Sequence, residues 1–281
     1  MDLYFPALLA YDQRISKFSR DPSGDFGEIM KYSGIPPFET LSRSWQQAGR
    51  NFVYPPRCVL CGENRLCTGT ECGPRIEQIA PVLSQACLRC GAPAGPHVET
   101  SAGCSYCRKD RFFFTRAIAL GKYQGALREL ILKLKQNQGA PLGGGLGSLL
   151  YYRHQETLEK MELDLVIPVP LHWTSRLYRS HNPAGLIGEA LSSRLQAKYD
   201  VHILAKRKRT PAQTSLTPSE RRTNLRDAFR VRRSRRIRDL RILLVDDVMT
   251  TGSTANAATR ALLEAGAREI NVAVIARAPG V

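Results

Sequence analysis

Four short apolar runs mark the C-terminal part of the chain: residues 115–123 (T-R-A-I-A-L-G-K-Y), 163–170 (L-D-L-V-I-P-V-P), 242–245 (I-L-L-V) and 271–276 (N-V-A-V-I-A). Each is bounded by turn residues and too short for a helix, so each reads as a buried strand. Between them the apolar period changes. Leu127, Leu130, Ile131 and Leu134 keep helical spacing, as do Leu186, Ile187, Ala190, Leu191 and Leu195 over 184–195. Ala258, Ala261, Leu262 and Ala265 form a third stripe, with Arg260 and Glu264 at i,i+4 on the other face and Gly266 as the stop. A further helix is expected over 146–159. Gly143-Gly144-Gly145 before it neither follows a strand nor fits G-x-G-x-x-G, and reads as a loop leading into that helix. Alternating strands and helices predict a parallel α/β sheet. Residues 1–55 show no clean period and read as a poorly ordered extension without an assigned function.

Chemistry concentrates where the 242–245 run ends. Asp246 and Asp247 are adjacent carboxylates, followed by Thr250, Thr251, Gly252, Ser253 and Thr254 and then by the third helix. A strand, a small hydroxylated loop and a helix N-terminus make an anion site, because unpaired N–H groups and the helix dipole face the loop. Carboxylates beside a phosphate cradle suit a polyhydroxylated, metal-bound sugar phosphate. Two rival readings fail. A signalling receiver domain needs far more chain after its acidic strand than follows Asp247, and a nucleotide hydrolase needs an upstream G-x-x-x-x-G-K-[ST], which is absent.

Charge and cysteines sharpen the picture. The 281 residues carry a formal net charge of +16, and fourteen Lys and Arg lie in 206–241 against Glu220, Asp227 and Asp239. Such a field favours phosphorylated small molecules or nucleic acid. No apolar run approaches the roughly 18 residues of a membrane span, and the patch 5–11 lacks the basic region of an export signal. In a reducing cytoplasm the eight cysteines read as metal ligands rather than disulfides. Cys87, Cys90, Cys104 and Cys107 make a four-thiolate ribbon of two C-x-x-C hooks, while Cys58, Cys61, Cys67 and Cys72 make a second, more cramped group. Spacing alone leaves the pairing of hooks open.

The stretch L-L-V-D-D-V-M-T-T-G-S-T resembles the phosphoribosyl pyrophosphate (PRPP) loop of type I phosphoribosyltransferases. A cysteine-rich ribbon, V-I-P-V-P-L-H, N-P-A-G-L and R-R-T-N-L-R-D-A-F precede it in the order seen in the ComF family of competence-associated proteins. The resemblance covers roughly residues 58–278. It departs at Arg179-Ser180-His181-Asn182-Pro183, where the family commonly has R-G-F-N-Q, and at the widened Cys67/Cys72 pair.

The resemblance implies a type I phosphoribosyltransferase-like parallel sheet flanked by helices over 112–281, preceded by a small Cys-rich zinc-ribbon module over 56–111. It implies that Asp246 and Asp247 hold the ribose hydroxyls and that Thr250 to Thr254 wrap the 5′-phosphate. Pro168, Val169, Pro170, Leu171 and His172 would form a pyrophosphate loop, and Lys206, Arg207, Arg222 and Asn224 would belong to a mobile flap. Mg²⁺ would accompany PRPP, and Zn²⁺ would be structural. Three functions follow: a phosphoribosyltransferase of unidentified acceptor, a zinc-bearing DNA-uptake adaptor that binds single-stranded DNA and competence proteins, or a PRPP sensor.

Overall fold

The structure, a computed structural model, describes residues 77–81, 85–95, 100, 103–171, 180–206, 228–232 and 234–278. The expectations for 1–55, for Cys58, Cys61, Cys67 and Cys72, for His172 and for Arg207, Arg222 and Asn224 lie outside these residues.

Strand β1 (Arg116–Lys122) leads into α1 (Gly125–Leu134), a 3₁₀ turn, α2 (Ala140–Arg153) and the short α3 (Gln155–Glu159). Then come β2 (Leu165–Pro168), α4 (Pro183–Leu195) and β3 (Lys198–Tyr199). Strands β4 (Leu204–Lys206) and β5 (Phe229–Val231) pair antiparallel on either side of residues 207–227. Strand β6 (Arg241–Met249), α5 (Ser253–Glu264) and β7 (Glu269–Arg277) follow.

Five strands form one parallel sheet in the order β1-β7-β6-β2-β3. Both faces are covered, which is why its strands read as unbroken apolar runs. Val166, Leu243, Val245, Ala273 and Ile275 pack with α1, α2 and α4. Their alternates Leu165, Ile167, Ile242, Leu244, Val272 and Val274 pack with α5. Among the described residues no helix is long and apolar enough to cross a membrane.

The connections position the site. From β2 the chain moves outward to β3, and from β6 it moves the other way to β7. The neighbours β2 and β6 therefore form a topological switch point, and the loops leaving their C-terminal ends diverge to leave a crevice. Both loops carry residues singled out in the sequence.

Two expectations are corrected. Gly143-Gly144-Gly145 lies inside α2 rather than in a loop before it. Its glycines serve helix contact: a Cβ at Gly143 would lie 2.4 Å from the Leu186 Cβ, and one at Gly147 2.8 Å from the Ile187 carbonyl oxygen, so α2 and α4 approach where side chains are missing. Strand β6 also does not end at Val245. It runs through both aspartates to Met249, because β7 continues alongside it, with Asp246 opposite Val274 and Met249 opposite Arg277.

The cysteine hooks dock on the free side of β1. Ala117 N–H donates to the Arg89 carbonyl at 3.2 Å. Gly91 takes φ +66°, and a Cβ there would come within 3.0 Å of the Ala117 oxygen, so the knuckle needs glycine at its point of contact.

Candidate functional site

A cleft of about 230 Å³ opens at the switch point. Val169, Pro170 and Leu171 line it from the end of β2, Asn182 and Pro183 from the start of α4, Asp246, Asp247 and Thr254 from β6 and α5, and Lys206 from β4. Asn182 does not cap its helix; its side-chain amide donates to the Val169 carbonyl at 3.1 Å and fixes the loop after β2. The Lys206 ammonium lies 5.8 Å from the centroid of the Phe229 ring across the antiparallel pair.

The two carboxylates are set apart by strand alternation. Asp247 shares the parity of Leu243 and Val245, whose face bears α1. There Lys135, just past the end of α1, brings its Nζ to 3.0 Å from the Asp247 Oδ2. Each aspartate also accepts the next N–H: Asp247 N to Asp246 Oδ1 at 2.9 Å and Val248 N to Asp247 Oδ1 at 2.8 Å. Burial, then the Asp247 charge beside it, pushes the Asp246 carboxyl up to about 8. The pair holds less negative charge at neutral pH than two ordinary carboxylates.

The loop between β6 and α5 leads directly into a helix N-terminus. Gly252 takes φ +79° at the N-cap and supplies no side chain to satisfy the first N–H groups of α5. The Thr251 and Ser253 hydroxyls lie 2.7 Å apart, and Ser253 N–H donates to the Thr251 hydroxyl at 3.3 Å. Helix N-terminal N–H groups flanked by hydroxyls are suited to phosphate oxygens.

A second constellation sits beside β1. Cys87, Cys90, Cys104 and Cys107 are buried, unpaired thiols whose sulfurs all lie within 4.8 Å of one another. The sulfur separations are 3.7 Å for Cys87–Cys107, 3.6 Å for Cys90–Cys104 and 3.8 Å for Cys104–Cys107. Four thiolates about 2.3 Å from a central ion stand about 3.8 Å apart at the corners of a tetrahedron. The cluster therefore has the dimensions of a closed four-sulfur metal site. At Cys87 burial pushes the thiol up, but N–H donors of Cys90 and Arg89 outweigh it and bring the group down to about 7.

The structure thus brings Asp246, Asp247, Thr254, Val169, Pro170, Leu171 and Lys206 to one cleft and the four later cysteines to one cluster. Several contributors escaped sequence reasoning. Lys135 follows the last apolar residue of a helix more than a hundred positions before Asp247. Asn256 donates to the Arg111 carbonyl at 2.9 Å and accepts from Phe113 N–H at 2.6 Å. Arg277 is only 2% exposed, and its guanidinium donates to the carbonyls of Met249, Thr250 and Cys90. The one signal for Arg277 was a cation closing an otherwise apolar run.

The chain is similar to several known proteins. Residues 185–280 match the family described as phosphoribosyl transferase domain. The chain is 31% identical over 232 residues to Competence protein F of Haemophilus influenzae, covering 79% of this chain and 97% of that protein. It is 29% identical over 194 residues to DNA utilization protein YhgH of Escherichia coli O157:H7, covering 68% of this chain and 83% of that protein. The crystal structure of purine phosphoribosyltransferase from Pyrococcus horikoshii Ot3 aligns over 47% of this chain and 82% of that one, with a TM-score of 0.31 and 18% identity.

Proposed function

The chain belongs to the competence protein F (ComF) family, and from that premise we propose that its switch-point cleft binds PRPP and transfers the phosphoribosyl group to an acceptor, in a protein serving DNA uptake or nucleotide metabolism. The observation that carries this reading is the convergence in one cleft of two adjacent carboxylates, an open helix N-terminus and the loop after β2.

Asp246 and Asp247 accept hydrogen bonds from the ribose 2′- and 3′-hydroxyls. Thr250, Thr251, Gly252, Ser253 and Thr254 hold the 5′-phosphate through N–H and hydroxyl donors. Pro168, Val169, Pro170, Leu171 and His172 face the pyrophosphate, and the segment from Lys206 through Arg207, Arg222 and Asn224 closes over it. The C1–oxygen bond breaks with its electron pair leaving on pyrophosphate, and the acceptor's lone pair forms the new bond to C1 as the acceptor loses a proton. Asp246 and Asp247 would hold Mg²⁺ together with a phosphorylated substrate. When bound, the ion supplies charge neutralisation for the departing pyrophosphate. The four-cysteine cluster, closed and all-sulfur, holds Zn²⁺ in a structural role.

Calorimetry with PRPP in the presence and absence of Mg²⁺ tests the reading, followed by assay of pyrophosphate release with ammonia and a panel of free bases. Mg²⁺-dependent binding with release is expected. Binding without release for any acceptor makes the protein a PRPP sensor, and absence of binding overturns the reading.

A second reading has its own support. Arg230, Arg232, Arg236 and Arg238 are all exposed around β5 and the turn after it. This face binds single-stranded DNA by neutralising phosphates, as a DNA-uptake adaptor would, alongside competence partners. Affinity should fall steeply with salt through counterion release. Replacing Arg232, Arg233, Arg235 and Arg236 together by Ala should flatten that slope; an unchanged slope removes the assignment.

A further inference from the structure

We propose that Arg277 is a positioning residue that couples the four-cysteine cluster to the Thr250–Thr254 loop, so that occupancy of the cluster sets the geometry and anion affinity of that loop. The anion-affinity part rests on the reading of the loop as a phosphate site.

Arg277 is the last residue of β7, between β1 and β6 at the end of the sheet that carries the cleft. Its side chain is buried, and among the described residues every hydrogen bond it makes goes to a backbone carbonyl. Nε donates to Cys90 at 3.0 Å, and Nη1 donates to Met249 at 2.9 Å and to Thr250. One guanidinium thus joins a cysteine of the cluster to the first residue of the phosphate loop. Among the described residues no carboxylate pairs with it. A guanidinium stays ionised, and burying it without a counter-charge is costly. Four thiolates around a divalent ion leave a net negative group, which supplies that counter-charge on the side where Nε binds Cys90.

Independent contacts tie the other end of the loop to the same cluster. The Arg89 guanidinium lies 5.4 Å from the centroid of the Phe112 ring. Phe112 in turn lies against Gly252, where an added Cβ would come within 3.2 Å of the ring. Asn256, in the first turn of α5, holds Arg111 and Phe113 through its side-chain amide. The chain leaving the last cysteine hook is therefore stitched to the start of α5, while Arg277 holds the end of β6. The loop hangs between two anchors that both lead back to the cluster.

The test compares full-length zinc-loaded protein, the same protein after chelation, and Arg277→Lys, which keeps the charge but loses the forked donor set. Amide hydrogen exchange is followed by mass spectrometry, with zinc content measured in parallel. Loop peptides covering 249–256 should exchange about tenfold faster after chelation and in Arg277→Lys, while peptides from β2 and α4 stay unchanged. Arg277→Lys should also surrender zinc to chelator faster than the parent. PRPP affinity should fall about tenfold or more in both altered forms.

Loop exchange that ignores zinc removal and Arg277→Lys overturns the coupling, as does protein purified under reducing conditions without any zinc. Uniformly faster exchange across β2 and α4 also overturns it, since Arg277 would then support only the whole fold. Faster loop exchange in a protein whose parent form does not bind PRPP supports the coupling and removes the phosphoribosyl reading instead.

Discussion

Lys135 Nζ stands 3.0 Å from Asp247 Oδ2, although the two residues belong to a helix end and a strand on opposite sides of the sequence midpoint. Asp246 lies next to that pair and is itself pushed towards neutrality. The Asp247 charge is therefore balanced by Lys135, and the charge of Asp246 is held down by burial and by its neighbour. A cationic or hydroxyl-rich ligand has to compete with that arrangement.

The first prediction concerns the pair. Lys135→Met should lower stability by about 1 kcal/mol, the scale expected of a partly exposed ion pair, and the effect should vanish in an Asp247→Asn background. A double-mutant cycle on urea midpoints measures it; additive effects would mean no coupling. Asp247→Asn alone should leave the melting temperature within a few degrees while reducing PRPP affinity about tenfold or more, through loss of a charged acceptor. Gly252→Val is a poorer probe of the same loop. Its φ of +79° and the nearby Phe112 ring would destabilise the protein before any ligand binds.

Asp246 should show its shift in the pH dependence of stability. Its folded pKa is raised from 3.8 to about 8. Its contribution to stability is therefore fully present below about 4 and is lost as pH rises towards 8. Asp246→Asn should match the parent in melting temperature at pH 4, gain on it progressively between, and hold a constant advantage above pH 8. An advantage largest at low pH would reverse the sign and refute the shift.

The helix contact offers a control far from the cleft. Gly143→Ala drives a methyl into Leu186 and should cost about 1–3 kcal/mol. Gly144→Ala meets nothing within 4 Å and should instead stabilise by up to about 1 kcal/mol through helix propensity. Equal effects in thermal melts would contradict the packing of α2 on α4.

Metal content separates the two cysteine groups. Two zinc ions per chain are expected if Cys58, Cys61, Cys67 and Cys72 form a site as well, and one if only the later four cysteines do. Cys90→Ser should remove one ion in either case. Zinc content unaffected by Cys90→Ser would place the metal elsewhere.

Much of this was legible along the chain, for physical reasons. Residues 242–245 announced a strand because both of its faces are covered, and Gly266, at φ +99°, ends α5 where expected. Arg260 and Glu264 pair at 2.6 Å, as their spacing implied. What stayed hidden depends on partners distant in sequence. Strand β6 continues past Val245 only because β7 lies beside it. Three consecutive glycines look like a loop until Leu186 is placed against Gly143. Lys135 carries no local mark, since its role comes from a group that only the folded sheet brings near. Arg277 shows along the chain only as a charge closing an apolar run, and its carbonyl partners come from Cys90, Met249 and Thr250.

The pairing of β1 with β7 has a consequence for how the protein is made. Arg116 lies opposite Asn271, so the first strand of the sheet waits for about 150 further residues before its neighbour exists. At synthesis rates of about 5–20 residues per second that delay is roughly 8–30 s. During it, β1 has the knuckle at Arg89 available along its other edge, because Arg89 is synthesised first. A metal-bearing knuckle formed early would shield that edge from neighbouring nascent chains while the ribosome completes the sheet. Zinc supply during translation, rather than afterwards, should then govern the yield of native protein.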